Sequence, residues 1–453
     1  MGSMGIDPDI HVVMAAVPAY GHVRPTRSLA QSLTKLGYPV TFITGHTFRK
    51  SLEAIKGVDY VQLQGNADLD PDRLDDYFPG RSKIPKDAMA FLWDLEHLFY
   101  DRLAAQQQTL DSVLGRPELA HKKVVVVADA VFTGLLPMLL DSPHAKRVPV
   151  VSLGHFPLLV VSKDTAPFGL ALPSQGEEKN MELNASVLQM MSGVYAAVEQ
   201  ILAPYECVKP IPNRHPVDIL YRTPDIYCQL CVPQLEPPRS DVPENVRFVG
   251  TLLGANEQRA SPEWFQSFVV DDNTERPLVM VTSGTNTSMD PNELIIPTIE
   301  ACRSLPVRLI ICAVHAHRPE DFVLPENARW AEWIPFEELF KHTALVVSNG
   351  GYGGISQALA AGIPMILAGL SEDKAETCAR GAMTGAAINL KTQTPTVEQV
   401  HEALETMLKG GTFKQKALEL KKAYAAHDAV GSIVEAVNEL ANKFYAAPSA
   451  VAN

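Results

Sequence analysis

Little in this chain points to covalent stapling, to membranes or to nucleic acid. Cysteine is scarce: six residues in a chain of 453 do not make a disulfide scaffold, and a reducing, cytoplasmic compartment is the expectation. The one close pair, Cys228-x-x-Cys231, lacks the second pair that zinc spacing would need. Positive charge is scarce too. Lys and Arg number 39 against 52 Asp and Glu, a formal net charge of -13, which argues against nucleic acid and anionic membranes as partners. Long apolar runs are missing: the longest, Val124 to Leu140, contains Asp129 and Pro137 and is a poor membrane span. No secretory leader is visible, and Met1-Gly2-Ser3-Met4 reads as an expression scar. What remains is ordinary globular composition, 46% hydrophobic and 20% charged, in a length that suggests two domains.

The stretch from Ala344 to Lys374 carries the strongest local pattern. An apolar run of buried-strand type, Ala344 to Val347, meets a turn with Gly350, Gly351, Gly353 and Gly354. Ile355 to Ala361 then has helical spacing, and Pro364 to Ala368 is a second apolar strand ending at Glu372-Asp373. Strand, glycine turn, helix and strand make one βαβ unit. Bare backbone at a helix start offers unpaired N–H groups and the positive end of the helix dipole, which suits phosphate. Carboxylates on the same sheet edge suit hydroxyls, and together these suggest a nucleotide-sugar. The alternatives are a dinucleotide fingerprint or a plain tight turn; Gly351-x-Gly353-x-x-Ser356 lacks the third glycine of that fingerprint.

The first 65 or so residues repeat β-α-β: strand Ile10 to Val17, a helix from Arg24 closed by Gly37, strand Val40 to Thr44, strand Val58 to Leu63. Lys86 to Leu114 reads as a helix, Val124 to Ala128 as a strand buried on both faces, Val148 to Leu153 as another, and Asn184 to Ala203 as a helix. Arg222 to Cys231 looks like a late strand. The proline-rich Pro233 to Asp241 and the polar Gly254 to Arg276 read as the interdomain connection, about 233–276. From Pro277 the strand–helix pattern restarts, and an amphipathic helix, Ile433 to Phe444, closes the chain. Open parallel sheets bind ligands beyond the C-terminal ends of their strands, so two such halves would enclose a cleft.

Candidate chemistry sits at those strand ends. His22 follows the first strand, where a neutral imidazole can serve as general base, and Asp129 ends another strand on the same edge. A carboxylate beside an imidazole fixes its tautomer; the other reading is two unrelated polar residues. Ser283-Gly284-Thr285 fits a phosphate-facing turn or a simple strand–helix turn. Trp333-Ile334-Pro335 offers a flat face for a base, or a core residue. His315 and His317 form a conceivable metal pair but lack ligand-spaced partners, and a loop role suits them better.

Resemblance to a known family rests on these segments. Pro18 to Pro25 resembles the first loop of family 1 glycosyltransferases, Val127 to Ala130 their aspartate-bearing strand end, and Trp333 to Lys374 their donor signature. The similarity runs in order from Ile10 to about Phe444. It implies the GT-B fold: two facing Rossmann-like α/β domains with parallel sheets, an acceptor domain at 1–253, a nucleotide-sugar domain at 254–429, and a final helix, 430–445, crossing back. It implies His22 as base, Asp129 as its partner, Trp333 stacking on uracil, Thr285 near the diphosphate and Asp373 on sugar hydroxyls. Gly21, Ser283, Gly284, Ile334, Gly350, Gly351, Gly353, Gly354 and Glu372 complete the implied donor set. Asn349, Gln357, Phe336 and Lys374 depart from the usual histidine, glutamate and two glutamines. Asn349 can still donate and Gln357 still accept a hydrogen bond, while Lys374 can approach the diphosphate or pair with Glu372. Tyr20, Phe91, Trp93, Phe156 and Phe168 are candidates for an apolar acceptor cavity, or simply core.

The implied reaction moves a hexose, glucose from UDP-glucose, with inversion onto a hydroxyl of a small apolar, phenolic acceptor. No metal or resident cofactor is expected if a helix N-terminus supplies the positive potential. The expected assembly is a monomer or weak dimer. Rival readings are a nucleotide-sugar epimerase of the same fold, a binding protein that lost turnover, and a nicotinamide dehydrogenase.

Overall fold

The computed structural model describes residues 7–85, 88–252, 261–271, 274–284, 290–313 and 317–446. Apolar runs without alternation become strands buried on both faces, and these assemble into two parallel sheets. The first contains β1 (Ile10–Ala15), β2 (Val40–Thr44), β3 (Val58–Gln62), β4 (Lys123–Asp129), β5 (Val150–Gly154), β6 (Ile226–Gln229) and β7 (Val246–Phe248), in the order β3-β2-β1-β4-β5-β6-β7. The second contains β8 (Leu278–Thr282), β9 (Arg308–Cys312), β10 (Ala328–Ala331), β11 (Thr343–Ser348), β12 (Met365–Leu367) and β13 (Ala387–Asn389), in the order β10-β9-β8-β11-β12-β13. The strand order reverses between β1 and β4 and again between β8 and β11. Ala15 pairs with Ala128, so Asp129 projects beside the chain as it leaves β1.

Helices cover both faces of each sheet. Helix Tyr20–Lys35 buries Val23, Leu29, Ala30 and Leu33 on the first sheet, and helix Tyr352–Ala361 buries Ile355, Ala358 and Leu359 on the second. The last helix, Ala429–Tyr445, belongs to the first sheet's core, where Ile433, Val437 and Leu440 pack among β1, β4 and β5 residues. Burying each contributes about 1.5–3 kcal/mol, enough to hold this helix on the half of the chain farthest from it in sequence.

Several elements differ from the periodic reading. Lys86 to Leu114 is not one helix: a wide turn at Leu95–Phe99 and a tight one at Tyr100–Arg102 separate helices Ala88–Asp94 and Leu103–Leu114. Thr133 Oγ1 donates to the Phe99 carbonyl at 2.8 Å, and the buried Tyr100 hydroxyl donates to the Pro216 carbonyl; these tertiary bonds compete with the helical ladder. Arg222 to Cys231 contributes only β6, because Asp218–Arg222 is a helical turn that stops before Pro224. Asn184 to Ala203 is part of two helices, Glu177–Met190 and Ser192–Leu202, that meet at Met191. Within the proline-rich connection, Leu235 and Glu236 are buried while Pro233, Gln234, Pro238 and Ser240 are exposed. Cys228 and Cys231 are buried free thiols in different cores, one against each sheet.

Candidate active site

Helix Tyr20–Lys35 begins directly after β1 and carries His22 in its first turn. His22 Nδ1 lies 2.8 Å from Asp129 Oδ2, with the imidazole 21% exposed and the carboxylate fully buried. The ring is turned so that its N–H is off the line to the oxygen, making this a close contact that becomes an ion pair when the imidazole takes a proton. Asp129 also accepts from Val17 N at 3.4 Å and Val131 N at 3.3 Å, which offsets the cost of burying it. Burial disfavours the His22 imidazolium, but Asp129 outweighs it, with Asp373 and Glu372 of the other half adding to the effect; the net shift is upward. Burial likewise opposes ionisation of Asp129, and His22 reverses this to a net downward shift.

Phe99, His155 and Phe156 surround His22, with ring centroids at 6.5, 5.6 and 6.5 Å. Phe91 packs on Phe168 at 4.6 Å, and both join Phe99 and Phe156 around the same core. The other two aromatic candidates lie apart from this group. Tyr20 packs on Phe48 and donates to Asp72 Oδ2 at 2.8 Å; Trp93 faces Phe78 and His97.

On the second sheet, Gly350 turns the chain at φ +85°, and a Cβ there would lie 2.2 Å from Cys378 Sγ. A side chain there would displace the Cys378 thiol of helix Lys374–Met383 and would strain the left-handed backbone. Gly351, Gly353 and Gly354 differ: a Cβ on each would meet open space, so the helix start carries uncovered backbone there. Asn349 is 2% exposed and its Nδ2 donates to the Ser283 carbonyl at 2.6 Å, tying the turn after β8 to the turn after β11. Gly284 sits at φ +69° in that first turn. Trp333 is half-buried in the loop after β10, and Gln357 is half-buried on the helix; the Ile334 side chain is core. Lys374 is buried and pairs with Glu372. Lys374 holds Glu372 below its usual carboxylate range, whereas burial pushes Asp373 up despite Lys374. Gly21 is exposed at the start of the first helix. Thr285 and His315 lie outside the described residues, and His317 is exposed.

A family profile described as "Erythromycin biosynthesis protein CIII-like, C-terminal domain" matches residues 298–440. UDP-glycosyltransferase 2 of Phaeomoniella chlamydospora is 39% identical over 445 residues, 95% of this chain and 96% of that protein. The chain belongs to the family 1 UDP-glycosyltransferases. UDP-glucosyltransferase A1 of Starmerella bombicola is 30% identical over 95% of this chain and 92% of its own length. Among solved structures, the glycosyltransferase of kitacinnamycin superposes with a TM-score of 0.71 at 17% identity, over 95% of this chain and 98% of that one. The calicheamicin glycosyltransferase CalG4 gives 0.69, also at 17%, over 97% and 99%. Both support the GT-B arrangement of two parallel-sheet, Rossmann-like domains. The enzyme transfers a glycosyl group from a UDP-sugar.

The joint between the glycosyltransferase's two halves is polar, and sequence reasoning missed it. Glu236 Oε2 accepts from Arg380 Nε at 3.0 Å and lies 3.3 Å from Arg239 Nη1, all three side chains at most 6% exposed. Burial opposes both charges, but each outweighs that for the other: Glu236 shifts down and Arg380 up. Tyr352, opening the donor helix, donates to Glu236 Oε1 at 3.1 Å and accepts from Gln229 Nε2 at 2.7 Å. Glu376 Oε1 accepts from the backbone N–H groups of Gly169 and Ala171 at 3.0 and 2.6 Å, fastening the loop that carries Phe168 to the helix that begins at Lys374. His155 was also missed as a site residue, although it directly follows β5 on the edge that carries Asp129. Among the described residues no helix is long and apolar enough to cross a membrane.

Proposed function

We propose that the transferred sugar is a hexose, glucose from UDP-glucose, and that it passes with inversion to a hydroxyl of a small apolar acceptor of phenolic type. The observation that carries this reading is the 2.8 Å contact between His22 and Asp129 beside the aromatic cluster of Phe91, Phe99, Phe156 and Phe168. With Nδ1 toward Asp129, Nε2 takes the acceptor's hydroxyl proton. The freed oxygen forms a bond to the anomeric carbon as the bond from that carbon to the diphosphate oxygen breaks. Attack from the face opposite the leaving group inverts the configuration, and UDP departs with the electron pair. Asp129 stabilises the imidazolium that forms.

On the donor side, the exposed N–H groups at the start of helix Tyr352–Ala361 and the dipole of that helix suit the diphosphate. Asp373 suits sugar hydroxyls because its carboxyl oxygens accept hydrogen bonds from O–H donors. Lys374 is committed to Glu372, which leaves helix backbone as the main source of positive potential. Glucose is favoured by relatives named UDP-glucosyltransferase, and the aromatic cluster favours a flat acceptor. Incubation with UDP-glucose and a panel of phenols, followed by mass spectrometry, tests the proposal. A mass gain of one hexose on a phenol is expected. UDP-glucose left intact with every phenol, while another UDP-sugar is consumed, would overturn the donor assignment.

A further inference from the structure

His155 follows β5 on the edge that carries Asp129, and the reaction above gives it no part. Its ring stands edge-on to His22, at 67° and 5.6 Å between centroids. Its Nε2 lies 3.1 Å from Thr26 Oγ1. Thr26 is fully buried, and its hydroxyl donates to the His22 carbonyl at 2.7 Å. A hydroxyl has one proton, so Thr26 gives it to His22 and can only accept from His155. Nε2 of His155 therefore carries a hydrogen. The bonds form a directed chain from β5 to the first turn of the helix: His155 Nε2–H to Thr26 O–H to His22 C=O.

We propose that His155 is a positioning residue for His22, acting through Thr26 and by edge contact between the two rings. The chain holds the Thr26 hydroxyl in the rotamer that grips the His22 backbone, while the His155 ring blocks rotation of the imidazole away from Asp129. Phe99 and Phe156 also pack near the ring, but its contact with Asp129 is off-line and the ring is partly exposed, so the His155 contact adds a restraint on the side that faces β5. Burial keeps the His155 pKa down to about 4, with His22 adding to and Asp129 opposing that shift. His155 thus stays neutral and does not compete with His22 for the carboxylate. The inference rests on His22 being the base.

Five variants and one spectrum test it, using the full-length enzyme, UDP-glucose and the best phenol of the panel. His155→Phe keeps a ring but removes the donor, and is expected to lower kcat about tenfold while UDP affinity and KM for UDP-glucose hold. His155→Gln restores a donor near Nε2 and is expected to recover most of the loss. Thr26→Val keeps the shape, removes the link, and is expected to match His155→Phe; the double variant is expected to be no worse than either. UDP affinity serves as the check on folding. Long-range 1H–15N spectra of the histidine rings are expected to show the Nε2–H tautomer at His155, a result that needs no acceptor. Wild-type kcat in His155→Phe, no rescue by Gln, additive losses, or an Nδ1–H tautomer would each overturn the proposal. His22→Ala separates the two readings: if it retains turnover the base assignment fails, whereas its inactivity beside an active His155→Phe sinks only the positioning role.

Discussion

β1 and β4 flank the point where the strand order of the first sheet reverses, and β8 and β11 flank the same point in the second. The two switch points hold opposite materials. β1 is followed by His22 and β4 ends at Asp129, so the first half presents titratable side chains. β8 is followed by Ser283 and Gly284, and β11 by Asn349, Gly350 and Gly351, so the second half presents backbone. One topology places ligands at the C-terminal strand ends in both cases. What differs is only what the loops expose there. A proton transfer needs a group that titrates near neutrality, which only a side chain supplies. Diphosphate needs several fixed N–H donors at close range, which side chains would obstruct.

The comparison can be broken first at the joint, which belongs to neither half. Arg380→Met removes one of the two arginines that pair with the buried Glu236, and chemical denaturation is expected to show a loss of about 3 kcal/mol. Unchanged stability would mean the ion cluster is incidental to domain packing. Next in size is His22→Ala, expected to lower kcat on the order of 100-fold or more while calorimetry shows UDP binding intact. Loss of UDP affinity in that variant would erase the proposed division between the halves.

Asp129→Asn sharpens the picture further. His22 works deprotonated, so activity rises with pH through its pKa, which Asp129 holds above the ordinary 6.5. Without the carboxylate, burial prevails and the acid limb of kcat/KM is expected to move to lower pH, with a reduced plateau. A limb that stays in place would dissociate Asp129 from the base. On the second half, Trp333→Ala is expected to weaken UDP binding by roughly 1–3 kcal/mol, the worth of base–aromatic stacking, while Asp373→Ala spares UDP and damages transfer. Equal losses of UDP affinity in both would contradict separate base and sugar contacts. The smallest expected effect is that of EDTA. Among the described residues no three metal-ligating side chains come together, so rates are expected to be unchanged by the chelator and by added divalent ions.

Much of this was legible before any coordinates, for reasons that are local. Unalternated apolar runs such as Val124 to Ala128 specify strands buried on both faces, and β-α-β spacing specifies parallel pairing. The strand ends then name His22, Asp129 and the glycine turn as neighbours of a cleft. Of the aromatic candidates, Phe91, Phe156 and Phe168 converge, while Tyr20 packs on Phe48 and Trp93 faces Phe78 and His97. The tie from Asn349 Nδ2 to the Ser283 carbonyl is not legible in the sequence, because it joins turns after two different strands.

Sequence alone thus determined the two α/β halves, their parallel sheets and the residues at the strand ends, because periodicity and strand ends are properties of contiguous segments. Tertiary structure alone decided the Glu236–Arg380 joint, whose partners stand 144 residues apart, and the grip of Glu376 on the backbone of Gly169 and Ala171, 207 and 205 residues away. It also decided the direction of the His155–Thr26–His22 chain, since a hydroxyl's single proton goes to whichever acceptor the fold brings within reach. No spacing rule reaches such contacts; they exist only once two cores have closed around the same cleft.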